Sequence, residues 1–174
     1  MTMEKLNQRI NQFSNKSDAR NLVLVLEKVY KRLGNVTLTT PNLTTATTTT
    51  KIKSQNDYYG FVGGVLVKKA ATDNLITLTT AANTTNALFN VVVFTINSSG
   101  TITNRYGTQG STLAAMTWPA IPSEEAVFGI LLLNPTGTGD FVGGTTAMAD
   151  ATVVPNAVYI SPTGANSFSA IANL

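Results

Sequence analysis

The side chains of the C-terminal half that could do acid–base or metal chemistry are the carboxylates Glu124, Glu125, Asp140 and Asp150. Paired carboxylates can hydrolyse a glycosidic bond, and loop carboxylates together with carbonyl groups can bind Ca²⁺. Glu124 and Glu125 are adjacent, however, so a strand would point them to opposite sides, and the preceding Pro122-Ser123 indicates a turn. The loop 134–140 lacks the alternating Asp/Asn pattern of a calcium loop. The pattern favours solvated charges in turns.

Cysteine and histidine are both absent from the sequence. Their absence removes disulfides, thiolate nucleophiles, the usual general base near neutral pH and the commonest transition-metal ligand. A serine nucleophile would need a lysine as its base, and the lysine pairs of the chain have no suitable serine motif nearby. The glycine-rich stretches 60–64 and 137–144 lack the Gly-Lys-Ser/Thr ending of a phosphate loop. We therefore expect no enzyme activity, no cofactor and no metal ion.

Aromatic side chains offer a second kind of chemistry, because aromatic faces stack on sugar rings and anchor interfaces. The candidates for a ligand surface are Tyr58, Tyr59, Tyr106 and Trp118. The alternative is packing in the core or between subunits, and the sequence favours that alternative because these residues are not clustered along the chain.

The elements that would position these side chains change character near Gly34. Before it, apolar residues recur at intervals of three and four, which predicts two short helices over residues 2–14 and 18–33. Ser17 suits the N-cap of the second helix, and Gly34 suits its C′ position. We expect this arm of residues 1–34 to oligomerise or anchor the protein, or else to fold back on its own β domain. Its apolar stripe consists of Leu6, Ile10, Phe13, Leu22, Leu26, Val29 and Leu33.

Charge is sparse and unevenly placed. Residues 1–34 carry seven basic and three acidic side chains, net +4, whereas residues 35–174 carry five basic and six acidic, net −1. A basic arm can bind an acidic protein surface or nucleic acid, and its low density of Lys and Arg favours protein. Charged residues make up 12 % of the chain, about half the usual ~25 %. The surface must therefore be covered by Thr, Ser and Asn, or be buried between subunits, which predicts an oligomer.

After Gly34 the sequence predicts strands and turns. Residues 35–57 are Thr-rich and contain Pro41, which predicts an extended connector that pairs as an edge strand in places. Residues 58–174 show an antiparallel pattern with a hairpin at Ser98–Gly100. The sequence Phe-Val-Gly-Gly occurs at 61–64 and at 141–144, which predicts two similar bulges or turns. The runs Val91–Val93 and Leu131–Leu133 predict strands buried on both faces. Predicted strands are Tyr58–Lys68, Asn74–Thr79, Leu88–Asn97, Thr101–Tyr106, Ala126–Leu133, Thr152–Val154 and Ala157–Ile160.

The fold class predicted from this pattern is mainly β, an antiparallel β-sandwich or jelly roll with a short N-terminal α-helical arm. No apolar run approaches the ~18 residues needed to cross a bilayer, so we expect no membrane partner.

The stretch Trp118–Ile160 resembles a segment that recurs in small virion proteins of tailed bacteriophages. The shared elements are a Pro-x-Ile-Pro entry, a short charged turn, an Ala-x-x-Gly strand, Phe-x-x-Gly-Thr-Thr, a small-residue stretch with Asp, and a final Val-x-Tyr strand. They correspond here to Pro119–Pro122, Ser123–Glu125, Ala126–Gly129, Phe141–Thr146, Asp150 and Val158–Tyr159. The resemblance covers about a quarter of the chain and implies no catalytic residues. Such proteins are similar to head-decoration, head-fibre or tail-fibre components, and they are often trimeric.

The resemblance implies a non-enzymatic capsid-decoration or head-fibre protein, assembled in the host cytoplasm and located on the capsid surface of the virion. Expected partners are two further copies in a homotrimer and a major capsid or other virion protein; nucleic acid is not expected. The alternative is a receptor- or glycan-binding fibre-tip module, which would require exposed Tyr or Trp in a surface groove.

Overall fold

The computed structural model describes residues 34–162 and 164–165, together with Leu24. The two predicted helices and the apolar stripe of the arm lie outside the described residues, apart from Leu24, which is helical. The strands are β1 Val36–Thr37, β2 Leu43–Thr45, β3 Lys51–Ser54, β4 Tyr58–Val62, β5 Val65–Lys69, β6 Thr72–Thr77, β7 Asn90–Asn97, β8 Ile102–Tyr106, β9 Glu125–Leu133, β10 Val158–Ile160 and β11 Gly164–Ala165, with one 3₁₀ turn at Thr80–Ala82.

Three antiparallel sheets build the described part of the chain. The outer sheet has the order β11-β1-β4-β5, the central sheet β10-β9-β7-β8, and the small sheet β2-β3-β6. The predicted mainly β, sandwich-like class is therefore confirmed. The inner face of the outer sheet packs on β9, where the Thr37 hydroxyl donates to the Val127 carbonyl at 3.1 Å and the Tyr58 and Phe128 rings lie 5.1 Å apart.

The central sheet is buried on both of its faces. One face carries Phe94 and Phe128 into the main core, and the other carries Val93 and Val127 into a second cluster. That second cluster is covered by Met116, with partly buried apolar side chains packed around it. The prediction of doubly buried strands is thus confirmed, and the covering residues belong to the same chain.

One long bent hairpin joins the outer and small sheets, because β4 pairs with β5 while β3 pairs with β6. The predicted single strand Tyr58–Lys68 is wrong, since the chain reverses at Gly63 and Gly64, whose φ angles are +59° and +81°. Positive φ at both central residues is typical of a two-residue type I′ turn, and it favours glycine. The bend further along is held by Asp57, which accepts the Ala71 N–H at 2.8 Å.

Two other predicted segments differ from the structure. Residues 35–57 contain β1, β2 and β3, and β3 lies in the middle of the small sheet rather than at an edge. The β-branched threonines of this segment suit a half-buried pleated surface, so it is part of the sheets. The predicted strand Thr152–Val154 is a turn, because the Asp150 carboxylate accepts the Thr152 N–H at 2.8 Å and the Val153 N–H at 3.2 Å.

Candidate interaction surface

The first two candidate aromatic residues lie on opposite faces of β4. Tyr58 is fully buried in the main core, so it does not contribute to a ligand surface. Burial raises the pKa of its hydroxyl, and the neighbouring Thr37 lowers that pKa by a smaller amount. Tyr59 follows it in the strand and faces the opposite, outer side, because side chains alternate along a strand. The two residues therefore cannot share one binding face.

Tyr59 lies beside an exposed ion pair between Lys68 and Asp57. The Lys68 ammonium lies 5.4 Å from the centroid of the Tyr59 ring and 3.2 Å from an Asp57 carboxylate oxygen. Tyr59 and then Asp57 raise the pKa of Lys68. The Ala71 N–H and then Lys68 lower the pKa of Asp57. Exposed pairs of this kind contribute little to stability, so we assign this group no structural role.

Tyr106 and Trp118 are separated by the central sheet. Tyr106 packs against the main core, and its hydroxyl is 3.0 Å from the Thr79 hydroxyl. Trp118 packs against the second cluster on the other face. The predicted ligand surface of four aromatics is thus not assembled, since a sequence pattern gives the face of each strand but not the layer that covers it.

The largest apolar side chains exposed together lie on the outer face of the outer sheet. Phe61 pairs with Leu66 on one side and with Val36 on the other, which places all three on one face. Phe61 is 39 % exposed, Leu66 58 % and Leu38 50 %. Val36 is half-buried. Large contiguous patches of exposed apolar residues are typical of interaction sites. We call this set of four residues the outer apolar face.

Asn35 fixes the rim of the outer apolar face. Its amide nitrogen donates to the carbonyls of Ser123 at 2.6 Å and Glu125 at 3.1 Å, and its amide oxygen accepts the Gly63 N–H at 2.8 Å. The neighbouring Gly34 carbonyl accepts the Gly64 N–H at 3.2 Å. This Asn35 junction ties the start of β1 to the β4–β5 turn and to the start of β9. No sequence motif indicates a role for Asn35. Assigning Gly63-Gly64 to a hairpin turn would have identified the turn that Asn35 contacts.

Each carboxylate of the described residues accepts at least one hydrogen bond. Glu125 forms a two-point bond with Arg105, at 2.9 Å to Nε and 2.5 Å to Nη2. Burial raises the pKa of Glu125, but hydrogen bonds from Arg105 and Thr95 and the Arg105 charge outweigh burial and leave it below its ordinary value. The remaining carboxylates accept bonds from backbone N–H groups or a hydroxyl; they are Asp57, Asp73, Glu124, Asp140 and Asp150.

Glu125 corrects the expectation that the Glu124-Glu125 pair is simply solvated. Its side chain is 14 % exposed and Arg105 is 24 % exposed, whereas Glu124 is exposed in the turn that Asn35 contacts. Glu125 begins β9, so its side chain lies on the sheet beside Arg105 of β8. Within residues 34–162 and 164–165, no group of acidic residues is arranged to hold a metal ion.

Several residues of the stretch Trp118–Ile160 have packing or turn roles in the fold. A Cβ atom at Gly129 would overlap the Leu43 side chain, so Gly129 lets the small sheet pack on β9. Phe141 is fully buried, and the Asp150 carboxylate closes the turn before β10. Gly129 and Phe141 therefore have packing roles, and Asp150 has a turn role.

Comparisons with protein-family models, with curated proteins and with solved structures found no match to this chain. No helix among the described residues is long and apolar enough to cross a bilayer. The anchoring residues predicted in the arm, from Leu6 to Leu33, lie outside the described residues and remain predictions.

Proposed function

We propose that this protein is a non-enzymatic structural component of a bacteriophage virion, of the capsid-decoration or head-fibre type. The observation that carries the proposal is a mainly β fold with a sparsely charged chain, in which 12 % of residues are charged. Each carboxylate of the described part accepts at least one hydrogen bond within a turn or between strands. The class of virion protein comes from the resemblance of Trp118–Ile160, whose matching residues have packing roles here.

In this proposal residues 1–34 anchor the β domain to a capsid or other virion protein, and three chains assemble as a homotrimer on the capsid surface. A sparsely charged surface favours such assembly, because association covers sheet edges and apolar area. Many copies on one particle then multiply weak contacts through avidity. A glycan-binding fibre tip is the less favoured function, because Tyr58, Tyr59, Tyr106 and Trp118 do not form one surface.

The test is the absolute mass of the full chain in solution, measured by light scattering on a sizing column. The expected mass is three times the 18.4 kDa chain. Ile10→Asp, in the first half of the arm, is expected to dissociate the trimer, because a charge in an apolar interface is strongly disfavoured. Thr49→Asp, on an exposed loop, is the control and should leave the mass unchanged. A full chain that is monomeric at all concentrations would contradict the proposed trimer.

A further inference from the structure

The outer apolar face carries three exposed large apolar residues, whereas most large apolar residues of the other sheet faces are buried. The inner side of the outer sheet packs on β9, and both faces of the central sheet are covered by residues of the same chain. By contrast, Phe61 is 39 % exposed, Leu38 50 % and Leu66 58 %. A face of this composition on the outside of a sandwich suits an additional layer.

The start of the described chain lies at the rim of this face. Gly34 and Asn35 are bonded to the β4–β5 turn, whose Gly63 and Gly64 adjoin the strands that carry Phe61 and Leu66. Three residue steps join Leu33 to Val36, which is at most about 11 Å of extended chain. Packed layers of secondary structure lie ~10 Å apart. The segment that precedes Gly34 is therefore within reach of the outer apolar face.

The segment that precedes Gly34 has an apolar stripe that could pack on the outer apolar face. Residues 18–33 predict a helix whose apolar stripe is Leu22, Leu26, Val29 and Leu33. A helix of 16 residues is about 24 Å long, and the five residues of β4 extend about 17 Å, so one helix can cross the whole sheet. The inner face is already filled, which leaves the outer face for the stripe. Leu24, which lies off the stripe, is helical and 53 % exposed.

Basic residues at the end of the segment and an acidic residue of the β domain lie near the Gly34-Asn35 junction. Lys31 and Arg32 immediately precede the junction, and the exposed Glu124 lies in the turn whose carbonyls Asn35 contacts. Basic side chains in the last turn of a helix also interact favourably with its dipole. These charges favour an end of the segment close to the junction.

We propose that residues 18–33 pack as an amphipathic helix on the outer apolar face of their own chain. The short junction at Gly34-Asn35 favours the same chain over a second copy. The proposal goes beyond the virion function and does not rest on it. It assigns Leu22, Leu26, Val29 and Leu33 to the domain itself, and it leaves Leu6, Ile10 and Phe13 as the stripe available to a partner.

Proximity can be measured by cross-linking, because the natural chain has no cysteine. The full chain carrying Leu26→Cys and Leu66→Cys is treated with a short bis-maleimide reagent and its mass is read under denaturing conditions. The expected product is an internal link at the mass of one chain. The control combines Leu26→Cys with Leu113→Cys, since Leu113 is equally exposed but lies in the 108–122 loop. Equal internal linking in both pairs, or no link in either, would overturn the proposal; a product with the mass of two chains would assign the face to a second copy.

Trypsin accessibility gives an independent readout at Lys28, Lys31 and Arg32. Leu66→Glu places a carboxylate in the proposed contact, so cleavage within 18–33 should become at least about tenfold faster than in the natural chain, as the docked segment opens more often. Leu113→Glu is the matched control and should leave the rate unchanged. Equal cleavage rates in the two variants would refute the docking. Because the trimer mass is measured separately, failure of this proposal is distinguishable from failure of the proposed function.

Discussion

Replacement of Asn35 by alanine should strongly destabilise the β domain, although Asn35 is a single polar residue next to a chain segment that the sequence assigns to an arm. The side chain makes three hydrogen bonds, at 2.6, 3.1 and 2.8 Å, to segments 88, 90 and 28 residues away along the chain. Each hydrogen bond contributes about 1 kcal/mol net, and partners left unsatisfied in a buried site add to the loss. Asn35 is buried, so we expect a total loss of about 2–4 kcal/mol.

Urea unfolding followed by fluorescence measures this loss, because the chain has a single tryptophan and Trp118 packs on the second cluster. With a typical slope of about 2 kcal/mol/M, the unfolding midpoint should fall by about 1–2 M. Asn35→Asp should be at least as damaging as Asn35→Ala, because a carboxylate oxygen would face the Ser123 and Glu125 carbonyls. Asn156→Ala is the control, since Asn156 is exposed and should change stability by less than about 0.5 kcal/mol.

The reasoning would be refuted if Asn35→Ala and Asn156→Ala unfolded at the same urea concentration. That outcome would mean that water replaces the Asn35 amide in the folded state, and that the junction does not hold β1 to the β4–β5 turn.

Three further predictions concern the fold. Glu125 has a lowered pKa in the folded state, so its pair with Arg105 stabilises the protein fully at pH values above its ordinary pKa of 4.5. This stabilisation is lost as the pH falls through the folded pKa. Glu125→Gln should therefore reduce the fall in melting temperature between neutral and acid pH. Gly63→Val should cost about 1–3 kcal/mol through backbone strain, since a Cβ there meets nothing within 4 Å, and Gly63→Asn should cost less by urea titration. Phe128→Ala should cost about 3–5 kcal/mol in the same titration, and a loss below 1 kcal/mol would contradict its central place in the core.

The local parts of the fold could be predicted from the sequence. The hairpin at Ser98–Gly100 is confirmed: Gly100 has φ +76°, and the Asn97 amide oxygen accepts two N–H groups of the loop. The turn depends only on contacts among neighbouring residues, so a short stretch of sequence is enough to predict it. The burial of Val91–Val93 and Leu131–Leu133 could also be predicted, because a strand that is apolar on both faces must be covered on both faces.

The two Phe-Val-Gly-Gly sequences show where local pattern fails. At 61–64 both glycines have positive φ and reverse the chain between β4 and β5. At 141–144 positive φ occurs at Gly144 alone, Phe141 is buried, and a Cβ at Gly143 would overlap the Thr79 carbonyl. The same four residues thus take different conformations, because distant segments set the space available to the second copy.

The sequence by itself determined the antiparallel β character, the tight hairpins, the alternation of faces and the absence of histidine and cysteine chemistry, because each depends on residue type or on spacing within a few positions. The tertiary structure alone decided that Tyr58 is core, that Glu125 binds Arg105, and that Asn35 joins three segments. It also decided that Phe61 and Leu66 share the outer face of one sheet while the central sheet is covered on both faces. Those outcomes depend on which strands become neighbours, and contacts between residues 20–90 positions apart follow from the packing of whole sheets rather than from local pattern.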